Sequence, residues 1–159
     1  MSQEESLAGQ YLTFLLNGET FGIAIERVLE VLDSTDITCV PQAPEYLRGV
    51  INLRGSIVPV VDLHCKFGLP PSQRTLASCI IIVEVKLDGE NTSLGALADS
   101  VQEVIDLEEN QIEAAPRMGT RLNSDYLRGM GKQGERFITL LNIDSIFVQE
   151  PAGGERQAS

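Results

Sequence analysis

An internal duplication is the feature that most constrains the fold of this chain. The sequence Tyr-Leu-Arg-Gly at residues 46–49 recurs 80 residues later, at residues 126–129. The same offset aligns residues 60–63 with residues 140–143 without a gap. A sequence that matches itself at a fixed offset indicates that one structural unit is used twice. We therefore expect two similar halves within the 159 residues.

The first copy of the repeated segment predicts a β-hairpin. Two runs rich in β-branched residues, 50–53 and 57–61, flank Arg54 and Gly55. Branched side chains favour strands, and glycine supplies the positive φ that a tight turn needs. Pro59 cannot donate a hydrogen bond to a neighbouring strand, which predicts an edge or a bulge at this point.

The remainder of the first half predicts short strands joined by tight turns. Residues 10–16 and 20–24 read as strands connected by an Asn-Gly turn. Apolar residues at positions 25, 28, 29 and 32 have helical spacing and predict a helix of only one or two turns from residue 25. Residues 31–40 then read as a further strand. The second half repeats this order, with strands over residues 76–86 and 92–98.

These elements predict a mostly β fold. Each half supplies about five short strands with too few residues for flanking helices, which favours two five-stranded β-barrels. Two barrels in a chain of 159 residues cannot each hold a full core, so we expect them to share one hydrophobic core. Short helices are expected at residues 64–67 and 144–148.

The duplication also predicts the domain boundaries. We expect residues 1–9 to be disordered, residues 10–148 to form one folded domain, and residues 149–159 to form a flexible tail. Within the domain, the first repeat covers residues 10–68, a linker residues 69–74, and the second repeat residues 75–148.

Composition excludes several classes of function. The chain has 12 Lys and Arg against 23 Asp and Glu, a net charge of −11. Nucleic acids and anionic membrane surfaces are both bound through basic residues, so neither is an expected partner. The start of the chain lacks the basic and apolar regions of a secretory signal, and no apolar run is long enough to span a bilayer. We expect a cytoplasmic protein without direct membrane insertion.

Asp62, His64 and Cys65 lie close together in the chain, which raises the possibility of a hydrolase or a metal site. A single histidine beside a cysteine lacks the spacing of metal ligands, and a thiol nucleophile needs a histidine that is separate from it in the chain. The simpler interpretation is a small helix that follows the hairpin. We therefore expect no catalytic residue, no metal and no cofactor.

Two further classes are compatible with a small β-barrel. An oligonucleotide-binding barrel would need a basic face with stacking aromatic residues, whereas this chain has 5 Phe, 3 Tyr and no Trp. A regulatory domain of a larger kinase or receiver protein is the other class, although nothing in the 159 residues supplies such a partner domain. A stand-alone binding protein is the preferred interpretation.

Two segments carry a resemblance to a known family. Residues 49–55 (Gly-Val-Ile-Asn-Leu-Arg-Gly) followed by residues 57–63 (Ile-Val-Pro-Val-Val-Asp-Leu) resemble the signature of the CheW family, the coupling proteins of bacterial chemotaxis arrays. Residues 94–104 resemble the family's second conserved block. The resemblance covers roughly residues 10–147 and implies two SH3-like barrels packed on a common core.

The resemblance implies a non-catalytic adaptor. Such proteins bind a CheA-type histidine kinase through the kinase's CheW-like regulatory domain, and they bind the cytoplasmic tip of methyl-accepting chemoreceptors. The protein would be a monomer when isolated and would be assembled into membrane-associated arrays. The alternative within the family is a chemotaxis-like system that controls twitching motility or another output.

The resemblance also implies contact residues. Those implied for the receptor are Val28, Glu30, Val31, Arg54, Val101 and Val104; those implied for the kinase are Arg48, Gly49 and Met118. The valines would line a groove that accepts the edge of a receptor helix. From the residues alone, the valines are better interpreted as ordinary barrel core, and Arg54 could equally be an exposed turn residue with no partner.

Overall fold

The computed structural model describes residues 8–33, 36–70, 78–87, 89–113 and 126–146. Short strands dominate these ranges, as the duplication predicts. The strands are β1 (Gly9–Leu16), β2 (Glu19–Ala24), β3 (Val28–Leu32), β4 (Leu47–Leu53), β5 (Ser56–Asp62), β6 (Cys79–Leu87), β7 (Glu90–Ala98), β8 (Ser100–Leu107), β9 (Ile112–Glu113), β10 (Leu127–Gln133) and β11 (Arg136–Leu141). The helices are α1 (Leu63–Lys66) and α2 (Ile143–Ile146), with 3-10 turns at Ile25–Arg27 and Glu109–Gln111.

The strands form two sheets, and the two halves of the chain exchange their first hairpins between them. One sheet has the order β8-β1-β2-β11-β10-β9, and the other has the order β3-β6-β7-β5-β4. The β1–β2 hairpin of the first half therefore lies in the sheet built by the second half. The β6–β7 hairpin lies reciprocally in the sheet built by the first half. Neither sheet is contiguous in sequence.

The strand register repeats in the two sheets. In one sheet, β2 pairs with β11 in parallel and Gly22 lies opposite Leu140. In the other, β7 pairs with β5 in parallel and Gly95 lies opposite Val60. The two glycines are 73 residues apart and the two apolar residues 80 apart, which are the offsets of the sequence repeat. The predicted duplication is thus present in the pairing of the strands.

The β4–β5 hairpin and the β10–β11 hairpin each form an equivalent short backbone pairing at their outer edge. Thr38 forms an isolated bridge with Val50, and Glu113 in β9 pairs with Met130, which is 80 residues after Val50. Strand β9 has only two residues. Without it each sheet has five strands, in agreement with the predicted pair of five-stranded units.

The short helix predicted from residue 25 is reduced to a single 3-10 turn. Only Ile25–Arg27 forms a 3-10 turn, and Val28–Leu32 is strand β3, which pairs antiparallel with β6. The register of this pair shifts between Val28 and Glu30, where β3 carries a bulge. The apolar residues at helical spacing belong partly to this turn and partly to a bulged strand. The strand predicted over residues 31–40 accordingly begins earlier and ends at Leu32.

A shared hydrophobic core lies between the two sheets. Its largest cluster draws buried side chains from both sheets and both halves. Phe21 of one sheet is stacked between Phe14 and Phe67, with ring centroids 6.0 and 5.8 Å away, and Phe67 lies 5.7 Å from Tyr126. Two smaller hydrophobic clusters are separate from this shared core, and each is built from the strands of one sheet.

An ion pair also connects the two halves. The Arg27 guanidinium donates to both carboxylate oxygens of Asp144 in α2, and Nη1 donates to the Glu84 carbonyl at 2.7 Å. The Asp144 carboxylate also accepts the backbone N–H of Lys86 at 2.9 Å. These bonds fix α2 against β6, so the end of the second half is held by residues of both halves.

The Arg27–Asp144 pair predicts an acid-sensitive contribution to stability. The hydrogen bonds from Arg27 hold the pKa of the Asp144 carboxyl below its ordinary value. A carboxyl group with a lowered pKa in the folded state stabilises the protein above its unfolded pKa of about 3.9, and this contribution is lost as the pH falls through the folded pKa. We expect the urea concentration at the unfolding midpoint to decrease when the pH is lowered below about 4. This decrease should be less steep in Asp144→Asn.

Asp106→Asn is the control for this measurement, because Asp106 is an exposed carboxylate on β8. Its midpoint should follow the wild-type pH dependence. An Asp144→Asn midpoint with the wild-type slope between about pH 5 and pH 3 would contradict the prediction.

Gly49 occupies a position that no other residue fits. Its φ is +151°, and a Cβ built on it would lie 2.2 Å from the Thr38 carbonyl oxygen. We expect Gly49→Ala to lower the free energy of unfolding by about 2–3 kcal/mol in urea denaturation. Gly18→Ala should lower it by only about 1 kcal/mol, from its positive φ alone, because nothing lies within 4 Å of that Cβ. Equal losses would contradict the steric explanation.

Candidate functional site

The four valines implied as receptor contacts lie on two edge strands that the duplication relates. Val28 and Val31 lie on β3, at the edge of one sheet, and Val101 and Val104 lie on β8, at the edge of the other. Val28 and Val101 are partly buried against the shared core cluster. Val31 and Val104 are 40% and 46% exposed. Val28 and Val101 therefore fit the interpretation as barrel core. Val31 and Val104 fit the interpretation as receptor contacts.

Arg54 lies at the tip of the β4–β5 hairpin and forms a two-pronged ion pair with Glu30 of β3. Arg54 Nη1 is 2.9 Å from Glu30 Oε1, and Nη2 donates to Oε2 at 3.0 Å. The Arg54 side chain remains 71% exposed, and the hydrogen bond to Glu30 raises its pKa. Arg54 is therefore an exposed turn residue, but it is not without a partner.

The backbone of Arg54 is in an unfavourable conformation. Its φ is +54°, a left-handed value that suits asparagine or glycine rather than arginine. Gly55 follows with φ +89°, and its N–H donates to the Asn52 side chain at 2.9 Å. Positive φ at residues with large side chains is concentrated at functional sites, where the side chain is needed for another reason.

An open cavity of about 720 Å³ lies beside this ion pair. It forms where the parallel strands β5 and β7 separate, because they pair only over Val60–Asp62 and Pro59 precedes that pairing. Pro59 pairs with Val50 of β4 on one side of β5 and lies just before the pairing with β7 on the other, so its missing N–H is next to a locally open side of an inner strand. The cavity is lined by Leu29, Glu30, Leu53, Arg54, Ser56, Ile57, Val58, Pro59, Ile82, Asn91, Thr92 and Ser93.

Two exposed apolar residues line this cavity and were not predicted from the sequence as site residues. Leu29 is 52% exposed and Ile57 is 64% exposed, beside the Arg54–Glu30 pair. Strand alternation alone could not place them outside, because the bulge in β3 and the separation of β5 from β7 are set by tertiary pairing. Together they provide an apolar surface around a charged pair.

The residues implied as kinase contacts have different surroundings. Arg48 Nη1 donates to the Asp62 carboxylate at 3.1 Å, and the Asp62 carboxylate also accepts the backbone N–H of His64 at 3.0 Å. Gly49 is buried against the backbone of Thr38, so it has a structural requirement of its own. Met118 lies outside the described residues.

His64 and Cys65 are arranged for structure rather than for nucleophilic chemistry. His64 is buried, with Nδ1 2.8 Å from the Pro70 carbonyl oxygen and Nε2 2.9 Å from the Asp99 carboxylate. Both ring nitrogens therefore lie within hydrogen-bond distance of oxygen atoms of other residues, so the imidazole is held by structural contacts. Burial raises the pKa of the Cys65 thiol, whereas a nucleophilic thiol needs a lowered one. Within the described ranges no three His, Cys, Asp or Glu side chains are grouped to hold a metal ion.

Comparison with known proteins identifies the family of this fold. Residues 10–150 match the sequence profile of the CheW-like domain. The chain belongs to the CheW-like family. This match covers both repeats, so the resemblance carried by the two conserved segments is confirmed over nearly the whole chain.

Individual CheW-like relatives agree with the profile. Chemotaxis protein CheW of Klebsiella aerogenes is 33% identical over 146 residues, which cover 92% of this chain and 86% of the relative. Chemotaxis protein CheW of Treponema pallidum is 30% identical, covering 87% of this chain and 81% of the relative. The crystal structure of the scaffolding protein TtCheW from Thermoanaerobacter tengcongensis superposes with a TM-score of 0.78 at 34% identity, covering 89% of this chain and 93% of that one.

The structural match confirms the predicted fold of two SH3-like barrels around a shared core. It extends over both sheets, because 89% of this CheW-like chain is covered. None of the helices in the described residues is long and apolar enough to cross a membrane.

The positive φ of Arg54 is expected to lower the thermal stability of this CheW-like protein. Arg54→Asn places the favoured residue at the positive φ and removes the ion pair to Glu30, which contributes little because Arg54 is exposed. We expect the melting temperature of Arg54→Asn to equal or exceed that of the wild type in differential scanning calorimetry. A clear decrease would mean that the ion pair stabilises the fold more than the backbone strain destabilises it.

Proposed function

We propose that this protein is a non-catalytic adaptor that couples methyl-accepting chemoreceptors to a CheA-type histidine kinase in chemotaxis signal transduction. The observation that carries the proposal is the CheW-like match over residues 10–150. The relatives that match over most of their own length are chemotaxis proteins, and the matching crystal structure is that of a scaffolding protein. The adaptor acts as a cytoplasmic monomer that is recruited to membrane-associated receptor arrays.

The receptor is bound by the edge-strand residues together with the hairpin tip. Val31 and Val104 supply exposed apolar contacts, and Val28 and Val101 anchor the same strands in the core. Arg54 presents a guanidinium that Glu30 holds in one orientation. A receptor helix edge with apolar side chains and a carboxylate or free carbonyl would complement this surface.

The kinase is bound through Arg48 and Gly49, together with Met118, whose position is outside the described residues. Arg48 is 37% exposed and is oriented by Asp62, which supports a role in contact. The buried Gly49 would act by shaping the strand beside Arg48. The receptor and the kinase can then be bound at the same time, as coupling requires.

A pull-down from a lysate of the source cells tests both surfaces. The purified wild-type protein should capture a CheA-type kinase and a chemoreceptor. Arg54→Ala and Val31→Asp should retain the kinase and lose the receptor, with receptor binding weakened about tenfold or more. The control is Phe137→Asp, which alters an apolar residue of β11 that is 59% exposed and lies outside the proposed receptor surface. This variant should capture the receptor normally.

The possible failures of this test are distinguishable. A folded wild-type protein that captures neither partner would refute the coupling function. Normal receptor capture by both Arg54→Ala and Val31→Asp would refute the proposed receptor surface and leave the coupling function standing.

A further inference from the structure

The two Tyr-Leu-Arg-Gly segments place their arginines in different surroundings. Arg48 donates to the Asp62 carboxylate at 3.1 Å. The residue 80 positions after Asp62 is Asn142, so the corresponding Arg128 has an amide where Arg48 has a carboxylate. Among the described residues, no carboxylate lies within ion-pair distance of the Arg128 guanidinium. The charge of Arg48 is therefore neutralised by a carboxylate, whereas among the described residues the charge of the equivalent Arg128 is not.

Arg128 and Asn142 line a cavity of about 360 Å³. The cavity lies where the end of β2 and the following 3-10 turn face the end of β11 and the start of α2. It is therefore built by both halves of the chain. Its lining residues are Ile23, Ala24, Glu26, Arg27, Arg128, Leu141, Asn142, Ile143 and Asp144.

The charges around the cavity favour an anion. Arg27 and Asp144 neutralise one another through their paired hydrogen bonds. Glu26 is exposed, so water and salt screen its charge. Arg128 is half-buried and contributes the remaining positive charge. Burial raises the pKa of Tyr11, Arg128 counteracts that rise more strongly than Glu26 adds to it, and both charges therefore lie near the Tyr11 hydroxyl.

We propose that this cavity binds a small oxyanion, a carboxylate or a phosphate group, between the Arg128 guanidinium and the Asn142 amide. A guanidinium presents parallel N–H groups that match two oxygens of either anion. The amide of Asn142 can donate a further hydrogen bond, whereas an aspartate at this position would repel the anion and occupy Arg128 itself. Among the described residues, none of those proposed to bind the receptor or the kinase lines this cavity.

NMR titration of the purified protein with inorganic phosphate, and separately with acetate, tests the site. The ionic strength is held constant with chloride, so that general screening does not change. We expect saturable shifts of the Arg128 Nε–Hε and Asn142 side-chain amide resonances with at least one anion. The anion that saturates them identifies phosphate or carboxylate as the preferred group. Shifts that do not saturate with either anion would overturn the proposal.

Substitutions at the site provide the decisive comparison. Asn142→Asp gives Arg128 the internal carboxylate that Arg48 already has, so it should abolish saturation by both anions while the fold is retained. Arg128→Gln should also abolish saturation. Arg136→Gln makes the same change of charge on β11 outside the cavity and should leave saturation unchanged. Saturation at the wild-type anion concentration in Asn142→Asp would overturn the proposal, even if Arg128→Gln failed to fold.

Discussion

The parallel pairing of β2 with β11 and of β7 with β5 is the contact on which the structure depends, because through it each exchanged hairpin joins the sheet of the other half. An antiparallel hairpin forms between neighbours in sequence, whereas these parallel contacts join distant segments and require the rest of the chain to be in place. Gly22 and Gly95 lie opposite apolar residues in these pairs, and a Cβ on Gly95 would come within 2.8 Å of Ile80. Neither half can therefore form its sheet alone.

The exchange of hairpins also explains the location of the proposed receptor surface. It leaves β3 and β8 as the edge strands of different sheets, each with one valine against the shared core and one exposed to solvent. Residues on the edges of packed sheets are positioned more rigidly than residues on loops, which suits a protein whose function is to hold partners in a fixed arrangement. Arg54 is the exception, since it lies on a turn, and its pairing with Glu30 compensates by fixing the guanidinium to β3.

The duplication, the hairpins and the shared core could be predicted because turn residues and strand alternation are local signals. The hairpin exchange could not, since contiguous and exchanged barrels give the same sequence offsets. The helix predicted from residue 25 is only one 3-10 turn, because the later apolar residues at helical spacing belong to the bulged strand β3. The partner of Arg54 and the outward positions of Leu29 and Ile57 depend on the same tertiary pairing. The contact residues implied by the family resemblance remain proposals, because binding depends on partner chains and not on the fold of this chain alone.

A duplicated fold offers an internal comparison, since differences between equivalent positions cannot be ascribed to the fold that both halves share. Glu30 is held by both nitrogens of Arg54, whereas the equivalent Glu103 meets Arg136 through one contact at 3.5 Å and is 59% exposed. The two halves also differ at Asp62, because the equivalent residue of the second half is Asn142. At Asp62 and Asn142 the backbone contact is retained, because each N–H donates to a repeat tyrosine carbonyl (Tyr46 or Tyr126) at 2.7 Å, and the side chain is changed. The common frame therefore permits the two halves to present different chemistry to solvent, which an adaptor with two unlike partners requires.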